Sequence, residues 1–204
     1  MALPHDIEPT GLYHVMSRGN YRQPIFHDTS HYLRYLVLLE RVARKRGWVV
    51  LDWCLMPNHY HLILHLSDAG LSEGMRELNG CYSRWSNAAR GLTGTGHLVR
   101  NRFNLRMIDT DEYLFELFRY LPLNPVRSSQ QQISRPEDWP WSGFRANAGL
   151  EHPRSFHRPA ELLAYFDPSP RRAHRAYRAH VRSGLGSCGS WSDQSDGGVL
   201  ESLP

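Results

Sequence analysis

The sequence predicts an α+β fold in which two helices cover one face of a four-stranded antiparallel sheet. Short strand-like stretches are separated by two longer stretches with apolar residues at helical spacing. Their order along the chain, β-α-β-β-α-β, resembles the ferredoxin-like split unit. The Pro57-Asn58 pair lies between the second and third strands, where it would form the turn of a hairpin. The other face of such a sheet is available for a site.

The first strand and the first helix are predicted from consecutive stretches. Residues 12–18 mix aromatic, β-branched and polar side chains, which favours a strand, and residues 19–20 follow as a turn. A helix is expected to begin at residues 28–30, which offer side chains that can cap its N-terminus. It is expected to end at about Arg46, because Gly47 suits a C-terminal stop. Its apolar positions keep helical spacing: Tyr32, Leu36, Leu39 and Ala43.

The next elements are a hairpin, a helix, a strand and a further helix. Residues 48–55 and 59–66 are predicted to be antiparallel strands. A helix is expected over residues 71–90, where apolar residues recur at alternating steps of four and three. The fourth strand is expected near residues 97–108, and a third helix from about Thr110, whose side chain precedes two acidic residues.

The composition changes after Gly149, so we divide the chain at that point. Residues 1–150 are expected to form the main domain. Residues 151–185 are expected to be an extension made of a proline-rich linker, a short helix and a basic helix over residues 171–182. The Gly/Ser-rich residues 186–204 are expected to form a disordered tail.

The composition excludes several classes of protein. No apolar stretch is long enough to span a bilayer, and the N-terminus lacks the pattern of a signal peptide. Three widely spaced cysteines argue against a disulfide framework and suit a reducing cytoplasm. The net charge is +4, and Lys45 is the only lysine among 24 basic residues. Arginine suits phosphate binding, although a GC-rich genome would favour the same residue.

An H-x-H pattern in the third strand is the first candidate site. Side chains on a strand alternate between its two faces, which places His59 and His61 on one face and Tyr60 on the apolar other. Neutral imidazole is a common ligand for divalent metals. The alternative is one core histidine and one surface histidine, since the chain contains 12 histidines.

Four stretches in the same order resemble one known family. The run CLMPNHYHLIL is similar to the HUH motif of single-strand DNA nucleases. With GLYHVMSRGNYRQPIF, RYLPLNPVR and DWPWSGFRA, it resembles the REP-associated tyrosine transposases, a branch of the single-tyrosine transposases. The resemblance covers about residues 11–150, and a weaker similarity continues to about residue 182.

The resemblance implies a metal site and a nucleophile. It places the family's catalytic tyrosine at Tyr120 and its third metal ligand, after His59 and His61, at Asn124. It also implies Mg²⁺ or Mn²⁺, which this neutral ligand set with open positions suits. From the residues alone two alternatives remain: Tyr120 is a core residue on an amphipathic helix, and Asn124 ends that helix before Pro125.

Two regions depart from the family's pattern. Pro122 is expected to kink or end the helix that carries Tyr120. In the fourth strand, Arg100-Asn101 stands where the family commonly has Gln-Gly, ahead of Arg102. Asn104 stands where a lysine often follows, and Arg106 is a candidate to replace that cation.

The resemblance therefore implies a cytoplasmic, nucleoid-associated bacterial enzyme that nicks and rejoins single-stranded or hairpin DNA of palindromic repeats. It leaves open a monomer or a homodimer. The candidate DNA-binding residues are Arg18, Arg100, Arg102, Arg106, Arg171, Arg172, Arg175 and Arg178. The alternatives are a domesticated, non-cutting DNA-binding protein of this fold, another HUH nuclease such as a relaxase, and an RNA-binding module. The central strands lack the aromatic signature expected of that module.

Overall fold

The computed structural model describes residues 10–67, 70–92, 98–99, 103–128 and 131–185. The strands are β1 (Gly11–Arg18), β2 (Val49–Met56), β3 (His59–Leu66) and β4 (Asn104–Met107). The helices are α1 (Thr29–Arg46), α2 (Leu71–Ala89), α3 (Asp111–Arg127), α4 (Phe144–Asn147), α5 (Pro159–Leu163) and α6 (Pro170–Ser183). The predicted order of elements up to the third helix is confirmed.

The four strands form one antiparallel sheet in the order β2-β3-β1-β4. Because β1 lies between β3 and β4, the sheet has the arrangement expected of the ferredoxin-like unit. In the register of β1 and β3, Arg18 lies opposite His59 and Met16 lies opposite His61. Directly opposed residues share a face of the sheet, so Arg18 belongs to the face of the two histidines.

Helices α1 and α2 cover the face that carries Tyr60. The Tyr60 hydroxyl donates a hydrogen bond to Asn79 Oδ1 on α2 at 2.7 Å, and the Tyr60 ring lies 4.9 Å from that of Tyr35 on α1. The Asp28 side chain caps α1 by accepting from the backbone N–H groups of Ser30 and His31. The predicted covering of one face by two helices is therefore confirmed.

The fourth strand is shorter than predicted within the described residues. Strand β4 spans Asn104–Met107, and Val99 forms a separate bridge to Gly19. Residues 100–102, which include the candidate DNA-binding residues Arg100 and Arg102, lie outside the described part of the chain.

Helix α3 continues through both of its prolines. Of the two effects expected of Pro122, an end of the helix is wrong, and a kink stays a prediction. The chain stays helical to Arg127, and Asn124 keeps its place on the helix although Pro125 follows it. A proline inside a helix removes a backbone hydrogen bond, at a cost of about 3 kcal/mol. Packing outweighs this cost, since α3 buries a row of apolar side chains: Leu114, Leu117, Phe118, Leu121 and Leu123.

The segment after Gly149 is packed and does not form a linker. Phe156, Leu162 and Leu163 are buried in the same core as the sheet. Helix α6 is the predicted basic helix, and it buries Tyr177 with ring centroids 5.9 Å from Phe144 and 5.6 Å from Phe166. The predicted disordered tail, residues 186–204, lies outside the described residues. Across the described ranges, no helix is both long and apolar enough to cross a membrane.

A buried carboxyl joins the C-terminal segment to the sheet. Asp52 on β2 is 1% exposed and accepts a hydrogen bond from the Trp53 N–H at 2.9 Å. The Tyr177 hydroxyl and the Cys54 thiol lie near this carboxyl. Gly143 leaves space for it, because a Cβ there would lie 2.4 Å from Asp52 Oδ1 and 3.0 Å from the His157 ring. Burial raises the pKa of Asp52 to about 8.

This raised pKa predicts how stability changes with pH. In the folded protein Asp52 keeps its proton up to a pH of about 8, whereas in the unfolded chain an aspartate with a pKa of 3.8 loses its proton at a much lower pH. The free energy of unfolding that Asp52 contributes is therefore lost progressively as the pH rises from 3.8 to about 8. The slope is at most about 1.4 kcal/mol per pH unit. Asp52→Asn should therefore gain stability over the wild type as the pH rises from 6.5 to 8, as measured by urea unfolding. Glu161→Gln, an exposed control in α5, should follow the wild type, and an Asp52→Asn curve parallel to the wild type would contradict the assignment.

Candidate active site

The two histidines of β3 lie on the same face of the sheet. The ring centroids of His59 and His61 are 5.1 Å apart, with the rings nearly perpendicular. His61 is buried beneath α3, and His59 is partly exposed. Tyr60 points to the opposite face, where it contacts α1 and α2. Alternation along a single strand therefore produces this pair.

Helix α3 brings the other two predicted site residues to this pair. The Tyr120 ring centroid lies 5.4 Å from that of His61. Asn124 follows one helical turn later, and its side-chain amide lies close enough to influence the pKa values of both His59 and Tyr120. Tyr120, His59, His61 and Asn124 thus converge between α3 and the sheet, on the face that α1 and α2 leave uncovered.

The protonation states of the site follow from its burial. Burial and the nearby Arg18 guanidinium lower the pKa of His59 to about 4. Burial, with the neighbouring His59, His14 and Arg18, lowers the pKa of His61 well below its ordinary value. Both rings are therefore neutral at pH 7 and retain a lone pair for a ligand. Burial raises the pKa of Tyr120, so its phenol carries its proton at neutral pH.

The donor atoms suit a divalent cation. Nε2 of His61 is buried and has no hydrogen-bond partner among the described residues, while Nδ1 of His59 lies 2.6 Å from Asn58 Oδ1. A hydrogen bond at Nδ1 leaves Nε2 as the ligand atom of an imidazole. In the part of the chain that the structure describes, no three His, Cys, Asp or Glu side chains form a metal-binding group. The candidate set therefore consists of two imidazoles and the Asn124 amide.

Two residues beside this set were not predicted as functional. His14 Nε2 lies 2.9 Å from His61 Nδ1, and His14 Nδ1 lies 3.0 Å from the Tyr113 hydroxyl. Burial, with Arg106, lowers the pKa of His14 to about 4. Alternation places His14 on the face of Arg18, but the contact with His61 depends on the pairing of β1 with β3. Tyr113 lies seven residues before Tyr120, on the same side of α3.

The predicted DNA-binding arginines lie in different places. Arg18 is 9% exposed and lies beside the histidines. Arg106 is exposed on β4, with its guanidinium carbon 3.9 Å from the Tyr113 ring centroid. Arg100 and Arg102 lie outside the described residues.

The arginines of α6 are not brought to the histidines. Helix α6 contacts the side of α3 that carries Phe115, opposite Tyr120, where His180 Nε2 lies 2.7 Å from the Phe115 carbonyl oxygen. Arg172 forms an ion pair with Asp167 at 3.0 Å, and Arg178 donates to the Ala148 carbonyl. Arg171 and Arg175 are exposed to solvent.

The matches to known proteins include one family and two solved structures. The sequence profile of the family described as "Transposase IS200 like" matches residues 10–120, just over half of the chain. The fold is similar to that of a REP-associated tyrosine transposase bound to a REP hairpin, with a TM-score of 0.58 and 21% identity over 78% of this chain and 89% of that one.

A candidate transposase of Deinococcus radiodurans R1 matches with a TM-score of 0.43 and 18% identity, over 59% of this chain and 95% of that one. No curated protein matches the chain.

Proposed function

Because the chain belongs to the family of IS200-like transposases, we propose that it cleaves and rejoins single-stranded DNA with Tyr120 as the nucleophile. The observation that carries this proposal is the proximity of a tyrosine side chain to two neutral imidazoles and an amide between α3 and β3. This combination provides an attacking oxygen and, beside it, the ligands for a cation that acts on a phosphate.

The proposed reaction exchanges one phosphodiester for another. The Tyr120 oxygen attacks the scissile phosphorus and loses its proton, while the bond from phosphorus to the 3′ oxygen breaks and that oxygen takes up a proton. The products are a 5′-phosphotyrosine on the protein and a free 3′-hydroxyl. A second 3′-hydroxyl reverses the step on another strand, and no nucleotide cofactor is needed because the covalent bond conserves the energy.

A divalent cation fits this site. His59, His61 and Asn124 would hold Mg²⁺ or Mn²⁺, which when bound polarises the scissile phosphate. The neutral ligand set leaves the positive charge of the cation for the anionic DNA backbone. Arg18, which lies opposite His59, adds a second positive charge and favours the neutral form of both imidazoles.

The proposed substrate is hairpin-forming DNA of palindromic repeats. The REP-associated transposase of similar fold is bound to a REP hairpin, which supports a substrate of the same class for this chain. A helix broken at Pro122 would favour the non-cutting alternative, but α3 keeps Tyr120 and Asn124 one turn apart in spite of this proline. The site geometry therefore favours an enzyme over a protein that only binds DNA.

Tyr120→Phe should abolish cleavage and leave binding intact, because it removes only the hydroxyl. We expect the covalent protein–DNA band on a denaturing gel to fall by about 10³-fold or more with a single-stranded hairpin and Mn²⁺. Hairpin affinity and the unfolding midpoint should match the wild type. A band that persists in Tyr120→Phe and disappears in Tyr113→Phe would assign the nucleophile to Tyr113 instead.

The double variant His59→Ala, His61→Ala should lose Mn²⁺ binding, because it removes both imidazoles of the ligand set. Calorimetric titration of the folded protein at pH 7 measures this loss without DNA. His65→Ala is the matched control, since His65 is an exposed histidine on the same strand. If the double variant and the control bind Mn²⁺ equally well, the metal does not bind at these histidines.

Helix α6 should contribute to DNA affinity through its exposed arginines, and the dependence of hairpin affinity on salt measures this. Each phosphate contact on a single strand changes the slope of log affinity against log salt concentration by about 0.7. The double variant Arg171→Gln, Arg175→Gln should therefore lower the magnitude of this slope by about 1.4. Truncation is unsuitable here because α6 buries Tyr177 and Val181. Arg76→Gln, an exposed control on α2, should keep the wild-type slope. If the wild type, the control and the double variant all have the same slope, the arginines of α6 do not contact DNA.

A further inference from the structure

A chain of three buried side chains runs from the candidate metal site towards β4. It consists of His61 on β3, His14 on β1 and Tyr113 on α3, joined by hydrogen bonds of 2.9 and 3.0 Å. The rings of His14 and His61 are stacked, with centroids 5.2 Å apart and planes 21° apart. The proposed chemistry uses only His61, so the other two side chains need an explanation.

The hydrogen bonds of this chain can run in two directions. A neutral imidazole has one N–H donor and one acceptor nitrogen. In the first direction, His61 Nδ1–H donates to His14 Nε2, and His14 Nδ1–H donates to the Tyr113 oxygen. In the second, the Tyr113 hydroxyl donates to His14, whose Nε2–H donates to His61 Nδ1.

The two directions leave different groups at Nε2 of His61, a buried atom without a hydrogen-bond partner in the described part of the chain. The second direction places a proton there, which buries an N–H donor without an acceptor and removes the lone pair. The first direction places the lone pair there, beside His59 and Tyr120. Only this tautomer of His61 can bind a cation through Nε2.

We propose that His14, held by Tyr113, is a positioning residue that fixes His61 in the Nδ1–H tautomer and keeps its Nε2 lone pair ready for a divalent cation. This inference rests on the proposed function, because it needs His61 to be a metal ligand. It adds a role for two residues outside the ligand set.

Tyr113, at the outer end of this chain, is held by the N-terminal cap of α3 and by Arg106 on β4. The Tyr113 backbone N–H donates to the Thr110 side chain that caps α3, at 3.3 Å. The Arg106 guanidinium covers the Tyr113 ring at 3.9 Å, and in the pairing of β1 with β4 Arg106 lies opposite His14. The orientation of the His14 ring is therefore set before any metal binds.

The first test reads the tautomer directly in the metal-free protein. Nitrogen-15 spectra of the imidazole rings should show His61 protonated at Nδ1 and unprotonated at Nε2. In His14→Ala, a His61 signal protonated at Nε2 should appear. In His14→Gln, whose amide can accept in place of the imidazole, the Nδ1–H form should be largely retained. A His61 that stays in the Nδ1–H form in His14→Ala would overturn the proposal.

The second test measures Mn²⁺ affinity by calorimetry. Loss of a residue that orients a metal ligand typically costs 10–100-fold in affinity, so we expect a loss of about this size in His14→Ala. We expect a smaller loss in Tyr113→Phe, substantial recovery in His14→Gln and no change in the exposed control His65→Ala. Wild-type affinity in His14→Ala would overturn the positioning role.

A double-mutant cycle separates this inference from the proposed function. In the His61→Ala background, His14→Ala should cause no further loss of Mn²⁺ affinity, and an equal further loss would overturn the proposal. If His61→Ala alone binds Mn²⁺ like the wild type, the proposed metal ligand is wrong and this inference falls with it, whatever the tautomer. Circular dichroism checks folding. If His14→Ala does not fold, Tyr113→Phe carries the test, and unchanged tautomer and affinity in that variant would overturn the role of the chain.

Discussion

The register of β3 is the constraint on which the rest of the molecule depends. This strand is central in the sheet, with β1 on one side and β2 on the other. One of its faces packs Tyr60, Leu62 and Leu64 into the core under α1 and α2. The other face carries His59 and His61. A slip of one residue would exchange the two faces and place imidazoles in the apolar core, so the burial of one face fixes the position of the two histidines on the other.

Helix α3 completes the site because its packing outweighs its local sequence. Two prolines weaken its backbone hydrogen bonding near the end that carries Tyr120 and Asn124. The helix persists because one side of it lies against the sheet and the other against the C-terminal segment, where Phe115 contacts His180 of α6 and Phe166, which precedes α6. The C-terminal segment thus supports the site from behind, even though its own arginines lie away from the histidines.

The sequence predicts those parts of the structure that depend on short-range patterns. The period of two along β3 predicted the shared face of His59 and His61, cap signals located the first helix, and the spacing of apolar residues located the second. Packing over long distances was not predictable in the same way. The contact between His14 and His61 needs the pairing of β1 with β3. The burial of Tyr177 depends on the packing of α6 against Phe144 and Phe166. The arginine-rich sequence of α6 instead suggested an extension outside the main domain.

The charges of the site explain what kind of ligand it can accept. Burial keeps both histidines uncharged and Tyr120 protonated at neutral pH, and the Arg18 guanidinium adds a permanent positive charge beside them. A divalent cation at these neutral ligands would add further positive charge in a poorly solvated space, which is unfavourable unless an anion arrives with it. A phosphodiester supplies that anion. The proposed site would therefore be most favourably occupied when metal and DNA backbone bind together, which would couple the ion to the strand that Tyr120 is proposed to attack.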